Sequence, residues 1–146
     1  MRAQAKVPYR LYEPSVKGYS QPAEVTALPC PSGPSWVWAT YGTYRGVSNA
    51  RVRGFSVAQG SPTICANAAN YQKLGTRVAD GRKGTLGVLC PVAETCSVGD
   101  GRRYGFTFAL ALRGPRGRVT RVFLTSARLQ LAEVLAIAAS LRPVSR

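Results

Sequence analysis

Residues 104–112, YGFTFALAL, alternate large and small side chains without a break, and no other stretch constrains the fold as much. Tyr104, Phe106, Phe108, Leu110 and Leu112 fall on one side, with Gly105, Thr107, Ala109 and Ala111 on the other. Successive side chains of a strand point to opposite faces, so the pattern predicts a strand with one face against a thick core. GPRG follows, and then RVTRVFLTS, where Val122 and Leu124 alternate with Arg121 and Phe123. That predicts the second arm of a hairpin.

Other segments repeat the period of two. SWVWATYGTY sets Trp36, Trp38 and Thr40 on one face and Val37, Ala39 and Tyr41 on the other. RVRGFSVAQ, 51–59, aligns Arg51, Arg53, Phe55 and Val57. RVADGRKGTLGVLC reads as a hairpin around the turn chemistry of Asp80-Gly81 and Gly84. Residues 64–71, ICANAANY, read as a short helix or an irregular link. The period then changes in RLQLAEVLAIAASLRP: Leu131, Val134, Leu135, Ala138 and Leu141 form one stripe of a helix over 129–142, which Pro143 stops. Strands first and one helix last predict an α+β fold, an antiparallel sheet with the C-terminal helix packed on one face. Pro8, Pro14, Pro22, Pro29, Pro31 and Pro34 exclude a long helix from the first 35 residues. Residues 1–35 therefore read as a proline-rich extended arm, with a short strand at 23–28, laid over a single domain of residues 36–146.

The chain has four cysteines, Cys30, Cys65, Cys90 and Cys96, and no histidine. A structural zinc site wants two closely spaced ligand pairs, and only one loose pair is present. A redox pair wants C-x-x-C at a helix start, which is absent here. Structural disulfides are the expectation, with Cys90–Cys96 closing a short loop and Cys30–Cys65 tying the arm to the body; four buried thiols are the alternative. On a chain-entropy argument the short loop contributes about 2 kcal/mol and the long one about 4 kcal/mol. Disulfides persist in oxidising compartments, so the expected location is extracytoplasmic: secreted, periplasmic or at the cell surface. Residues 1–14 lack the apolar run of a signal peptide, so either the protein is cytoplasmic or, as the disulfide expectation requires, a leader or membrane anchor has been removed. Membrane association would then run only through that anchor or through a partner.

Lack of histidine removes the Ser-His-Asp and Cys-His systems and the commonest general base. Six carboxylates remain, Glu13, Glu24, Asp80, Glu94, Asp100 and Glu133, and none forms an evident acid/base pair in the sequence. Asp80 and Asp100 sit in glycine turns, and Glu133 belongs to the first turn of the helix, where its dipole favours an acid. The expectation is a non-catalytic protein with no cofactor and no metal.

Net charge is +14, and 16 of the 20 basic residues are arginine. Such an excess suits anionic partners, although an Ala-, Gly-, Arg- and Val-rich composition also reflects a GC-rich genome. The densest cluster, RGPRGRVTR, holds Arg113, Arg116, Arg118 and Arg121 at the predicted hairpin tip and is the candidate contact for an anion.

One resemblance covers roughly the second half of the chain. Val78, Gly81, Lys83 and Gly84 in the turn, then Ile137, Ala138, Ser140 and Leu141 in the closing helix, are similar to a bacterial extracytoplasmic family of lipoprotein-carrier-like domains. These occur on membrane-anchored proteins that include anti-sigma factors. Where that family opens its helix with a Ser or Thr cap, this chain has Gln130, so the cap would shift to Ser126 or the helix would start less cleanly. The resemblance implies a curved antiparallel sheet whose concave face holds a helix and binds apolar chains or partner proteins, and it carries no catalytic residues.

Three functions compete. The first is an extracytoplasmic binding or sensor module contacting a protein partner or an anionic or apolar envelope component. Its contact surface would be the aromatic group Trp36, Trp38, Tyr41, Tyr44, Phe106 and Phe108 with the loop residue Arg45, most of these rings also being natural core material. The second is a structural subunit of a cell-surface assembly, adding its arm to a neighbour's sheet edge. The third is a basic nucleic-acid-binding protein, combining RGPRGR with base stacking on aromatic strands.

Overall fold

In the computed structural model, residues 2–45, 51–65 and 71–145 are described. Seven antiparallel strands form one sheet in the order β2-β3-β4-β8-β7-β6-β5. These are β2 (Glu24–Cys30), β3 (Gly33–Gly42), β4 (Gly54–Gly60), β5 (Gln72–Ala79), β6 (Arg82–Val88), β7 (Phe106–Arg113) and β8 (Val119–Ala127). A two-stranded ribbon joins β1 (Tyr12–Glu13) to β9 (Arg142–Pro143), near opposite ends of the chain. Among the described residues the helices are short: a single turn α1 (Gly101–Tyr104), the C-terminal α2 (Leu131–Ser140) and three 3₁₀ segments, the first at Arg2–Lys6. Strands with a helix on one face make this an α+β fold, as the change of period predicts.

The two alternations expected from sequence set the registers. Phe106, Phe108, Leu110 and Leu112 are all buried on one face of β7, level with Leu124 and Val122 of β8 and Leu86 and Val88 of β6. Phe55 and Val57 of β4 and Ala39 and Tyr41 of β3 continue this inner face. Tyr104 is a correction: it ends α1 rather than sharing the strand, because Gly105 at φ +104° turns the chain between them. The hairpin of β5 and β6 turns at Asp80 (φ +48°) and Gly81 (φ +79°), the left-handed pair that a two-residue hairpin requires. Gly84 is needed for a different reason, since a Cβ there would sit 2.5 Å from the Phe108 ring.

Two lids cover the inner face. α2 applies Val134, Ile137 and Ala138, and Leu141 follows it into the same core. Its N-cap is Gln130, whose backbone N–H donates to Glu133 Oε1 at 3.1 Å, so the Ser126 alternative is not used. Ser126 instead accepts from Phe106 N–H at 2.9 Å, within the sheet. At the other end of α2, Arg82 donates to the carbonyls of Ala138 (2.8 Å) and Ala139 (3.4 Å), satisfying groups that a helix C-terminus leaves open.

The second lid is the N-terminal segment, with Ala3, Val7, Tyr9 and Leu11 packed on Val37 and on Val144. Buried amides hold it. Gln59 accepts from Tyr12 N–H at 2.8 Å and donates to Tyr12 O at 2.9 Å, while Gln4 accepts from Leu11 N–H and donates to Tyr9 O, both at 2.8 Å. Tyr9 Oη donates to Ser35 O at 2.6 Å and Thr120 Oγ1 to Arg10 O at 2.5 Å. Within residues 1–35, read from the sequence as an arm, 24–30 form the edge strand β2 and 33–35 open β3. Of the 64–71 link, residues 66–70 lie outside the described residues.

Candidate functional site

Cys30 is joined to Cys65 and Cys90 to Cys96, with Cα–Cα distances of 5.5 and 5.9 Å. The first bond ties the end of β2 to the connection leaving β4. The second closes the loop between β6 and α1, where Gln72 brackets the Cys96 backbone, accepting from its N–H at 3.1 Å and donating to its carbonyl at 3.3 Å. Disulfides of this kind are typical of extracytoplasmic proteins. Among the described residues no helix is long and apolar enough to cross a membrane.

Most carboxylates are engaged by ion pairs or hydrogen bonds within the fold. Glu133 meets Arg53 at 2.7 Å and Glu13 meets Arg142 at 3.7 Å. Asp100 Oδ2 accepts from Ser97 N–H at 2.8 Å, and Glu94 Oε2 accepts from Tyr104 Oη at 2.9 Å, a bond that raises the phenol's pKa. Among the described residues no three Cys, Asp or Glu side chains gather as a metal centre would require.

The expected aromatic contact group is divided between faces. Trp36 and Trp38 lie half-buried on the outer face of the sheet, opposite Leu28 and Thr26 of β2. Tyr41 is on the inner face, 2% exposed and stacked on Phe55 with centroids 4.7 Å apart. Tyr44 is 5% exposed, and Phe106 and Phe108 lie in the core shared with α2. As contact residues Tyr41 and Tyr44 are therefore corrected to core residues: strand alternation carries Tyr41 inward with Val37 and Ala39, and the chain after β3 folds Tyr44 onto Ser56. Burial raises the pKa of both phenols. Arg45 is exposed, with its guanidinium turned back to Gly42 O (2.9 Å) and Tyr44 O (2.8 Å).

The arginine group also divides, with more consequence. Arg113 and Arg121 are exposed on the outer face of β7 and β8, where Arg121 and Lys83 flank a groove of about 430 Å³ floored by Ala109 and Phe123. Arg116 and Arg118 sit beyond the strands, in and after the turn Pro115–Gly117, where Arg116 (φ +61°) and Gly117 (φ +72°) are both left-handed. A left-handed arginine is uncommon, because its Cβ crowds the backbone. Together with Arg10, Pro8, Gly114 and Pro115 they line a cleft of about 430 Å³. Arg118 donates to Pro8 O at 2.6 Å and Arg10 to Val144 O at 3.3 Å. Among the described residues, no carboxylate pairs with Arg10, Arg116 or Arg118.

Arg10 is the residue that sequence reasoning missed. It lies over 100 positions from the tip, in a segment with no local motif. The lid brings it there: Tyr9 is anchored in the core beside it, with its phenol pushed up to about 12 by burial, and Tyr12 follows. The burial that raises Tyr12 is opposed by the nearby Arg10 and Arg82 charges. Comparison with protein-family models, curated proteins and solved structures finds no match to this chain.

Proposed function

We propose that this chain is a non-catalytic binding module of an extracytoplasmic compartment, and that it contacts an anionic component of the envelope through its basic surface. The observation that carries this reading is the set of arginines in and after the β7–β8 turn, which among the described residues pair with no carboxylate, in a chain whose 20 basic residues face only 6 acidic ones. Exposed cations with no carboxylate of their own attract anions from solution and steer them to the surface. The absence of histidine and the engagement of most carboxylates in structural contacts support a non-catalytic role.

An anionic contact is favoured over the apolar one that the lipoprotein-carrier resemblance implies. Between α2 and the sheet the space is filled by Phe55, Phe106, Phe108, Leu110, Val134 and Ile137, all of them buried. Nucleic acid ranks lower, since Phe106 and Phe108, on the strand that leads into the arginine turn, are core residues and cannot stack on bases. A structural-subunit role by strand addition also ranks lower: edge strand β5 carries a bulge near Gly75 and cations at Lys73 and Arg77, devices that discourage pairing with another chain.

Co-sedimentation with vesicles tests the reading. Vesicles rich in phosphatidylglycerol should carry the protein down, neutral phosphatidylcholine vesicles should not, and the bound fraction should fall as salt is raised. Equal binding to both vesicle types, or binding indifferent to salt, would count against an anionic partner.

A further inference from the structure

The cleft between the N-terminal lid and the β7–β8 turn deepens that reading, on which it rests. Three arginines, Arg10, Arg116 and Arg118, line a space of about 430 Å³ together with Pro8, Gly114 and Pro115. Among the described residues that line it there is no aromatic ring and no carboxylate, so these offer neither a stacking platform nor a site for a cation. We infer that this cleft is a binding site for phosphoryl groups, taking a diphosphate or closely spaced phosphodiesters.

Three features support that class of ligand. Guanidinium groups present several N–H donors in a planar fork, matching the oxygens of phosphate, and three of them suit a multivalent oxyanion better than a single carboxylate. The volume exceeds what one phosphoryl group fills and is within the usual range for small-molecule sites. The site is also partly preorganised. Arg118 is held by Pro8 O at 2.6 Å and Arg10 by Val144 O at 3.3 Å, so less side-chain freedom remains to be lost on binding, and each group retains further donors. Arg116 completes the set from a left-handed turn position held between Pro115 and Gly117.

The cleft also explains why residues so far apart in sequence meet. Arg10 arrives on a lid anchored by Tyr9, Gln59 and Thr120, and the turn arginines arrive on a hairpin. Releasing the lid would take the site apart, which links ligand affinity to docking of the N-terminal segment.

The experiment is calorimetric titration of the full chain with pyrophosphate, with inorganic phosphate and citrate as comparators, and vesicle co-sedimentation in parallel. The variant is Arg116→Asn with Arg118→Gln, asparagine being chosen because it tolerates the left-handed turn. Arg116→Asn alone leaves the Arg118–Pro8 bond in place and guards against loss of the lid. The control, Lys73→Gln with Arg102→Gln, removes the same charge from two exposed positions outside the cleft.

Pyrophosphate should bind more tightly than phosphate or citrate, and the double variant should lose at least roughly tenfold in affinity, the single variant several-fold and the control much less. Equal losses in variant and control would overturn the cleft and leave only diffuse charge attraction. Citrate binding as well as pyrophosphate would overturn the phosphoryl assignment. If the double variant binds pyrophosphate as well as the parent chain does, and anionic vesicles still carry it down, the cleft fails while the envelope-binding reading stands. If the parent chain binds neither pyrophosphate nor vesicles, both fall. Pyrophosphate competing the chain off vesicles would identify the lipid headgroup as the source of the phosphoryl group, and its failure to compete would point to a soluble ligand.

Discussion

The two lids on the inner face of the sheet solve one problem by different means. α2 covers its half with an apolar stripe, Val134, Ile137 and Ala138, and its polar contacts lie mainly at its ends, at Gln130 and Arg82. The N-terminal segment also buries apolar side chains, but it is fixed by amides and hydroxyls that reach into the sheet: Gln59 to Tyr12, Gln4 to Leu11, Tyr9 to Ser35 and Thr120 to Arg10. A helix satisfies its own backbone, so the face it presents need only be apolar. An extended segment crossing a sheet without joining its ladder has unpaired N–H and C=O groups, and each needs a partner when buried. Buried glutamines, carrying a donor and an acceptor on one side chain, supply them in pairs.

The two lids should therefore fail differently. Ile137→Ala removes a side chain that is 3% exposed and leaves a cavity under α2, costing about 3 kcal/mol of global stability. Urea unfolding should remain a single transition with a lower midpoint, because α2 shares its core with every central strand. A separate early loss of α2, with the sheet intact, would show that the helix is an appendage.

Gln59→Leu should cost less, about 2 kcal/mol, with a local signature. Leucine keeps the volume but strands the Tyr12 N–H and C=O in a buried site. Hydrogen exchange should quicken across residues 4–12 while β7 and β8 remain protected. Uniform loss of protection would mean that the two lids form one cooperative unit and that the contrast between them is only descriptive.

The same contrast explains how much was legible in the sequence. Apolar alternation placed the inner face of β7 and separated the two faces of β3 and β8, and the i, i+3, i+4 stripe placed α2 to within two residues at each end. These signals are local and repeat, so neighbouring residues support one another. Gln59 carries no such signal: at the end of RVRGFSVAQ it reads as a polar strand terminus, yet it is 1% exposed. Its meaning depends on Tyr12, 47 positions away. The candidate cleft follows the same rule. Arg116 and Arg118 stood out as a cluster, whereas Arg10 acquires its place only through the lid, and the separation of Arg113 and Arg121 from the cleft depends on which side of the strands each faces.

Tyr9→Phe gives the smallest effect and the most selective one. At neutral pH it removes the bonds to Ser35 O (2.6 Å) and Gln59 O (3.2 Å), costing about 1 kcal/mol. The pH dependence separates this tyrosine from the rest of the lid. Its phenol is held near 12 in the folded chain by burial, against about 10 when unfolded. A pKa raised by folding means that the native state favours the protonated form. That contribution is complete below about pH 10 and is lost as pH rises from there through about 12. The parent chain should therefore lose stability faster than Tyr9→Phe in this range, by up to about 2 kcal/mol, and the two should become equally stable near about pH 11. Other tyrosines, including the buried Tyr41, titrate in both proteins and largely cancel in the difference. Urea midpoints of both proteins at about pH 8 and about pH 11 decide it. A gap that closes with pH identifies a phenol buried under the docked lid, whereas a gap that stays constant means that Tyr9 reaches water and that the polar lid is looser than its hydrogen bonds imply.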